Sequence, residues 1–460
     1  MSSFSQLPLN SALKTNLQDL GYAAMTPIQA QSLPHIFQGK DIVAQAKTGS
    51  GKTAAFALGL LNQLDVQSFR VQALVLCPTR ELADQVAKEI RKLARAMHNV
   101  KVLTLCGGMP FGPQIGSLEH GAHIVVGTPG RIEEHLRKGT LKLNQLKTLV
   151  LDEADRMLEM GFQESIDNIL EHAPSKRQNL LFSATYPDAI ENMAARITRN
   201  PEFVRVENNE VNQHIHQTFY RLDENKHRFT LLQLILNEHK PKSTVVFCNT
   251  KRESQEIADE LKALGFAAVA LHGDLEQKVR DQVLVRFANN SASILVATDV
   301  AARGLDIDEL DCVVNYQMAR DHEVHVHRVG RTGRAGNQGK AFTLYTEKEL
   351  YKLKQLEEYL GQDIIDTPIP DYALLKKPPF KPTMVTLQID GGKKQKLRPG
   401  DIVGALTGDN GISGKQVGKI HVFDFCAYVA VERDAAKPAL KKISEGKMKG
   451  RSFRVRRIRG

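Results

Sequence analysis

Short apolar runs, each long enough for one buried strand, alternate along this chain with stretches long enough for a helix. Such alternation is typical of parallel β-sheets, whose strands are buried on both faces and joined by helical crossovers. The runs are residues 71–78, 122–129, 146–153 and 178–185 in the first half, then 243–250, 267–274, 292–299, 310–317 and 340–346. The sequence therefore predicts two α/β domains in series, separated by a polar stretch at 207–217.

A third unit follows a segment with five prolines at 366–382, which predicts a semi-stiff linker. Residues 383–460 hold 17 Lys and Arg against 7 Asp and Glu, which accounts for the whole net charge of +10. Basic surface concentrated in one unit attracts polyanions by counterion release, so we expect a nucleic acid partner. A tail that only adds solubility is the alternative. The predicted domains are 1–208, 209–365 and 383–460.

Several classes of protein are disfavoured. The five cysteines are odd in number and show no CxxC spacing, which argues against a disulfide framework and a zinc site. No apolar run approaches the roughly 18 residues of a membrane helix. The first residues, MSSFSQLPLN, have neither the basic start nor the apolar region of a secretory signal. We expect a cytoplasmic protein with no membrane partner, and nothing in the sequence requires more than a monomer.

The segment AKTGSGKT at 46–53 follows a strand-like DIVAQ and precedes a helical stretch. Glycines there let backbone N–H groups close around phosphates, and the next helix presents its N-terminus to them. Lys52 would reach the β- and γ-phosphates and Thr53 would hold Mg²⁺. The general pattern has glycine at the position of Ala46, but the strand–loop–helix context is the required one. The predicted phosphate loop is Ala46, Lys47, Thr48, Gly49, Ser50, Gly51, Lys52 and Thr53.

A cluster of carboxylates, Asp-Glu-Ala-Asp at 152–155, ends the predicted strand 146–153. Open α/β sheets bind ligands at the carboxyl ends of their strands. Asp152 can coordinate Mg²⁺, and Glu153 can position and deprotonate an attacking water. A solvated acidic turn is the alternative, and the phosphate loop upstream makes it weak.

Together these motifs resemble those of DEAD-box RNA helicases, over residues 1–365. The resemblance implies two RecA-like domains, ATP as the nucleotide and RNA as the polymer. In that family an aromatic residue and a GYxxxTPIQ segment recognise adenine, which corresponds here to Phe4 and residues 21–29. Gln29 would bond the adenine edge, and Tyr22 or Phe4 would stack on it.

The resemblance also assigns RNA contacts and a coupling segment in the first half. The RNA-backbone motifs correspond to Thr79, Arg80, Gly107, Gly108, Thr128, Pro129, Gly130 and Arg131. Ser183, Ala184 and Thr185 match the segment that links hydrolysis to RNA binding.

In the second half, HRVGRTGR at 327–334 matches the family's last motif. Arginine suits the charge of a transferring phosphoryl group, because its guanidinium stays charged and bidentate. Arg331 and Arg334 are the candidate fingers, and His327 would bridge toward the carboxylates. A basic surface helix is the alternative. Further matches predict Thr298 and Arg280 as RNA ligands and Asp306 near the nucleotide.

The activity implied is RNA-stimulated ATP hydrolysis that opens short duplexes locally. If ATP and RNA both favour one closed state, each strengthens binding of the other by linkage. An ATP-gated RNA clamp or scaffold is an alternative, but every hydrolytic residue is in place. A DNA helicase is less favoured, because Gln29 and the DEAD spelling are features of RNA-acting members.

The third unit has the strand and helix pattern β-α-β-β-α-β of an RRM domain. With its basic ending it resembles the C-terminal domain of the DbpA-type DEAD-box proteins. That subgroup implies recognition of a hairpin in 23S rRNA during large ribosomal subunit assembly. A general cold-shock-type RNA chaperone carries a similar domain and is the alternative.

RRM domains stack bases on aromatic side chains of the open sheet face. With a strand running through 424–434, that face would show Asp424, Cys426 and Tyr428, with Thr386 on the first strand. A single aromatic there predicts that folded RNA is bound by the basic loops and helix ends instead; the alternative is that these lysines are only solvated. The predicted contacts are Lys393, Lys394, Lys396, Arg398, Lys415, Lys419, Lys447, Lys449 and Arg451.

Overall fold

A computed structural model describes residues 3–46, 49–206, 215–302, 310–333 and 338–458. These residues fall into two compact units, one ending at residue 206 and one beginning at residue 215. Four predicted site residues lie outside the described residues: Lys47, Thr48, Asp306 and Arg334. No helix in the described part of the chain is long and apolar enough to cross a membrane.

The first unit is a seven-stranded, fully parallel sheet with strand order β3-β4-β2-β5-β6-β1-β7. Its strands are β1 (Ile42–Gln45), β2 (Ala73–Leu76), β3 (Val102–Leu105), β4 (Ile124–Gly127), β5 (Thr148–Asp152), β6 (Gln178–Ser183) and β7 (Glu202–Arg205). Its helices are α1 (Ser11–Asp19), α2 (Pro27–Phe37), α3 (Lys52–Asn62), α4 (Arg80–Leu93), α5 (Phe111–Glu119), α6 (Pro129–Arg137), α7 (Ala154–Glu159), α8 (Gln163–Glu171) and α9 (Asp188–Ile197). Two apolar clusters, one on each face, bury the central strands.

The second unit begins with a six-stranded parallel sheet in the order β10-β11-β9-β12-β13-β8. Its strands are β8 (Ile215–Leu222), β9 (Thr244–Cys248), β10 (Ala268–Leu271), β11 (Ile294–Thr298), β12 (Cys312–Asn315) and β13 (Gly339–Thr346). Its helices are α10 (Arg228–His239), α11 (Lys251–Ala263), α12 (Gln277–Ala288), α13 (Asp299–Ala302), α14 (His322–Val329) and α15 (Leu350–Leu360). The predicted pair of parallel-sheet domains is confirmed.

Three strands were not predicted, and all three lie at sheet edges: β3, β7 and β8. Each of these three strands includes residues that are half-buried or exposed, so none of them forms a fully buried apolar run. In β7, for example, only Val204 is buried. Strand β8 starts at Ile215, inside the stretch 207–217 predicted to connect the domains.

The C-terminal sheet is antiparallel, with strand order β15-β16-β14-β17. Its elements are β14 (Met384–Ile389), α16 (Pro399–Thr407), β15 (Val417–Val422), β16 (Ala427–Glu432), α17 (Ala436–Glu445) and β17 (Val455–Arg457). The predicted βαββαβ order is confirmed. The strand predicted over 424–434 was wrong at both ends, because residues 423–426 form the turn between β15 and β16 and the strand ends at Glu432.

The proline-rich segment 366–382 lies against the second parallel-sheet domain. Asn237 in α10 donates a hydrogen bond of 3.0 Å to the carbonyl of Leu374, and Phe266 packs edge-on against Phe380. Thr367 donates its N–H to the carbonyl of Phe219 in β8. The segment is therefore held along the domain and does not act as a free spacer.

Candidate nucleotide and RNA sites

The predicted phosphate loop connects β1 to α3, the strand–loop–helix arrangement that binds phosphates. Gly49 and Gly51 have φ angles of 82° and 93°, which side chains other than glycine rarely adopt. A Cβ on Gly51 would also lie 2.6 Å from Nε2 of Gln29. Helix α3 begins at Lys52, so its free N–H groups face the loop.

Gln29 is fixed against this loop by both ends of its amide. Its Nε2 donates to the carbonyl of Gly51 at 3.1 Å, and its Oε1 accepts from the N–H of Thr26 at 2.9 Å. Tyr22 donates its hydroxyl to Glu89, and Phe4 packs edge-on against the Tyr22 ring at 6.0 Å. Gln29 thus lies beside the phosphate loop, while Tyr22 and Phe4 lie against each other and Glu89 of α4.

Asp152, the last residue of β5, is 3% exposed, and its Oδ1 has no hydrogen-bond partner among the described residues. Burial raises its pKa to about 7, and the nearby Lys52 opposes this rise. Lys52 is itself buried and donates to the carbonyl of Ala46 at 2.6 Å. A desolvated carboxyl oxygen with no hydrogen-bond partner among the described residues is suited to receive a cation.

Mg²⁺ fits this position by the chemistry of its donors. Magnesium is bound in proteins by one or two oxygen ligands together with substrate phosphates. The free Oδ1 of Asp152 and the half-buried Thr53 on the first turn of α3 supply such oxygens. When bound, Mg²⁺ would neutralise phosphate charge and hold Asp152 ionised.

Glu153 and Asp155 follow Asp152 on a strained turn. Glu153 has a φ of 54°, an unusual value for a residue with a side chain, and it caps α7. Asp155 accepts from both the N–H and the hydroxyl of Thr185, each at 3.0 Å. The N–H of Ala46 donates to the carbonyl of Ser183 at 3.0 Å. The 183–185 segment therefore contacts both the acidic turn and the phosphate loop.

The predicted RNA residues of the first unit lie at the ends of three neighbouring strands. Thr79 caps α4 after β2, and Thr128 caps α6 after β4. The guanidinium of Arg80 packs over Gly108, which follows β3, and Arg131 donates to the carbonyl of Met109 at 3.0 Å. Helix N-termini and arginines are phosphate ligands, so this arrangement suits a nucleic acid backbone.

The carboxyl edge of the first sheet is thereby divided in two. Strands β1, β5 and β6 lead into the predicted nucleotide residues, and β2, β3 and β4 lead into the predicted RNA residues. The two sets are adjacent because β2 pairs with β5. The contact between Asp155 and Thr185 lies on the nucleotide side of this division.

In the second unit the structure brings two predicted RNA ligands together. Arg280 in α12 donates to the carbonyl of Ala301 at 3.0 Å, and Thr298 accepts from the N–H of Ala301 at 3.4 Å. His327 lies in the last turn of α14, and Arg331 follows that helix.

A neighbouring arginine, Arg328, was missed by sequence reasoning. It is 2% exposed and donates to both oxygens of Asp299 at 2.7 and 2.8 Å, to the carbonyl of Gln317 and to Asn249. It therefore fixes the segment after β11 to α14. The local sequence does not distinguish Arg328 as a buried residue, since Arg328, Arg331 and Arg334 recur at the same spacing of three residues.

The predicted basic residues of the C-terminal domain divide by position. Strands β14 and β15 end, and β16 and β17 begin, at one end of the sheet. The loops there, 390–398, 423–426 and 446–454, hold eight Lys or Arg and two Asp, and we call them the basic end. Lys415 lies at the opposite end and Lys419 on edge strand β15. Lys449 donates to the carbonyl of Lys396 at 3.1 Å, which joins two of the basic loops.

The open face of this sheet is closed by the second parallel-sheet domain. Thr386, Gln388 and Tyr428 are 1%, 3% and 2% exposed. Ser291 and Asn289 hydrogen-bond Oγ1 of Thr386 at 2.7 and 3.2 Å. Asp424 lies exposed in the turn before β16, whereas the Cys426 side chain interacts with the Tyr428 hydroxyl.

Comparison with protein families gives three matches along the chain. The DEAD/DEAH box helicase model matches residues 26–193, the helicase conserved C-terminal domain matches 226–336, and the DbpA RNA binding domain matches 386–457. Among curated relatives, ATP-dependent RNA helicase DbpA of Escherichia coli is 53% identical over 461 residues and 100% of both chains. The chain belongs to the DEAD-box ATP-dependent RNA helicases of the DbpA type.

Other members of this family are also similar. ATP-dependent RNA helicase DbpA of Bacillus subtilis is 37% identical over 99% of both chains. DEAD-box ATP-dependent RNA helicase CshA of Geobacillus kaustophilus is 45% identical over 78% of this chain and 76% of its own. Among solved structures, Dbp5 of Saccharomyces cerevisiae bound to RNA and ADP BeF3 matches with a TM-score of 0.74 and 29% identity, covering 82% of this chain and 98% of that chain.

Proposed function

We propose that this DEAD-box helicase couples RNA-stimulated ATP hydrolysis to local opening of short duplexes. The observation that carries the proposal is the contact of Asp155 with Thr185, since it ties the acidic turn of the nucleotide site to the 183–185 segment. Glu153 positions the attacking water, Asp152 and Thr53 hold Mg²⁺, and Lys52 binds the phosphates. Arg331 and Arg334 remain the candidate fingers.

The test of this catalytic site is the Lys52→Ala variant. Because the buried ammonium is lost from the phosphate loop, RNA-stimulated ATP hydrolysis should fall to background in a phosphate-release assay. Lys14→Ala, which changes an exposed side-chain contact in α1, is the control and should keep full turnover. Unchanged hydrolysis by Lys52→Ala would contradict the site.

The RNA target we propose is a hairpin of 23S rRNA in a precursor of the large ribosomal subunit. The support is the DbpA RNA binding domain at 386–457 and the full-length similarity to DbpA proteins. The enzyme would act in the cytoplasm as a monomer. Cross-linking of the full chain in cells should recover 23S rRNA through residues 383–458, and recovery of many unrelated RNAs would favour the general chaperone.

A further inference from the structure

The turn between β15 and β16 carries an aromatic side chain that the described residues of the domain leave largely exposed. Phe425 is 69% exposed. The turn is closed by the N–H of Phe423, which donates to the carbonyl of Cys426 at 2.8 Å. Since Asp424 and Phe425 are the two central residues of this turn, Phe425 is held outward by backbone geometry.

Two lysines are fixed beside this ring through their backbones. Lys393 donates its N–H to the carbonyl of Phe423 at 2.8 Å, and Lys394 donates to the carbonyl of Asp424 at 2.9 Å. Both lysine side chains are exposed. A side chain on Gly392 would overlap the carbonyl oxygens of Phe423 and Asp424, so glycine permits this close approach.

The other aromatic residues in the described part of the domain are engaged elsewhere. Tyr428 is buried under the second parallel-sheet domain, and Phe423 packs edge-on against it at 5.7 Å. Phe453 is half-buried with its ring against Gly391. Of the Phe and Tyr rings described in 383–458, Phe425 alone offers a free face at the basic end.

We propose that Phe425 is a stacking platform for an unpaired nucleobase of RNA bound at the basic end. An exposed ring beside cations is the arrangement with which proteins hold single-stranded nucleic acid, since every base has a π-face. Lys393 and Lys394 take the flanking phosphates. The proposal rests on the RNA-binding role of the C-terminal domain and adds a class of ligand: an unstacked base in a loop or bulge.

The carboxylate of Asp424 fits a base better than a phosphate. It is exposed next to Phe425 and would repel a phosphate group, but a carboxylate accepts hydrogen bonds from an exocyclic amino group of a base. The turn thus offers a ring for the face of a base and an acceptor for its edge, with lysines on the adjoining loop.

The test uses the full chain and two RNA probes, a hairpin with an unpaired loop and the corresponding fully paired duplex. Phe425→Ala should weaken hairpin binding by about 5- to 150-fold, the range expected for one stacked base. Duplex binding should stay unchanged, and so should the salt dependence of hairpin affinity, since no charge is lost. Phe425→Tyr, which keeps the ring, should restore affinity.

Two further variants make the outcome decisive. Phe203→Ala removes a ring that is 65% exposed in the first unit and should leave both affinities unchanged. Lys394→Glu should weaken binding of both probes and lower the salt dependence. Suppose that Lys394→Glu weakens binding of both probes. If Phe425→Ala then has no effect, or if Phe425→Ala weakens hairpin and duplex binding equally, stacking is overturned while the RNA-binding role stands. If neither variant affects binding, the RNA-binding role of the basic end fails as well.

Discussion

The first parallel sheet and the small C-terminal sheet arrange their predicted functional residues in different ways. In the parallel sheet all strands run in one direction, so every crossover places its loop at the same carboxyl edge. Topology alone thus brings the phosphate loop, the acidic turn and the RNA motifs to one edge. In the antiparallel sheet loops occur at both ends, and charge distinguishes them: the basic end has eight cations and two acids, whereas 408–416 and 433–435 are balanced.

Neither sheet offers a face to ligands. The first sheet is covered on both faces by its own helices. The C-terminal sheet packs one face on its own helices and the other on Asn289, Ser291 and α12 of the neighbouring domain. In both sheets the predicted functional residues lie in loops at strand ends. Topology alone predicts which end only for the parallel sheet.

The largest expected effect concerns coupling at the parallel edge. Thr185→Val removes the hydroxyl that donates to Asp155. The factor by which RNA increases the rate of ATP hydrolysis should therefore fall about 5- to 150-fold, the usual range of a coupling between two sites. Steady-state ATPase assays with and without RNA measure this.

Thr198→Val is the matched control for Thr185→Val. The Thr198 hydroxyl donates to the carbonyl of Ala194 at the end of α9 and contacts no predicted site residue. Equal losses in both variants would mean that the Asp155 contact is only structural.

Charge reversal tests whether the basic end is the RNA surface of the antiparallel sheet. Lys394→Glu with Lys449→Glu should weaken RNA binding about tenfold or more and lower the slope of log affinity against log salt by roughly one unit per lysine. Lys415→Glu with Lys419→Glu makes the same chemical change away from this end and should have a smaller effect. Filter binding across a salt series gives both slopes, and the reverse ranking would place the surface elsewhere.

A buried cation tests whether the open face is a docking surface. Thr386→Arg forces a guanidinium against Asn289 and Ser291, so the C-terminal domain should detach and residues 366–382 should become sensitive to protease. The free energy of unfolding of the second unit should fall by about 1–3 kcal/mol, because buried polar groups lose their hydrogen-bond partners. Thr383→Arg, at an exposed position nearby, should change neither measurement.

The smallest effect is the pH dependence of stability at Asp152. Its pKa is raised from 3.8 to about 7, so the folded state keeps a proton that the unfolded state releases. Stability should therefore fall as pH rises from about 4 to about 7. Without nucleotide, the Tm of Asp152→Asn should equal that of the unchanged chain at pH 4. At pH 8 it should lie a few degrees above that of the unchanged chain. A Tm difference that is constant with pH would contradict the raised pKa of Asp152.

The particular residues show where prediction succeeded. Gly51 and Lys52 were placed correctly at the start of a helix and Asp152 at the end of a strand, because apolar runs and turn residues report local backbone structure. Arg328 was missed because its burial arises from contacts with Asp299, Gln317 and Asn249, each distant in sequence. The edge strands β3, β7 and β8 were missed because half-exposed strands lack a continuous apolar run.

The sequence by itself determined the two parallel sheets, the βαββαβ domain, the family and the motifs of the nucleotide site. Each of these depends on short-range patterns of burial, turns and charge. The tertiary structure alone decided that Thr185 meets Asp155, that Tyr428 is covered and that Phe425 is left exposed at the basic end. Periodicity shows that a strand has two faces, but only the packing of distant segments determines what covers each face.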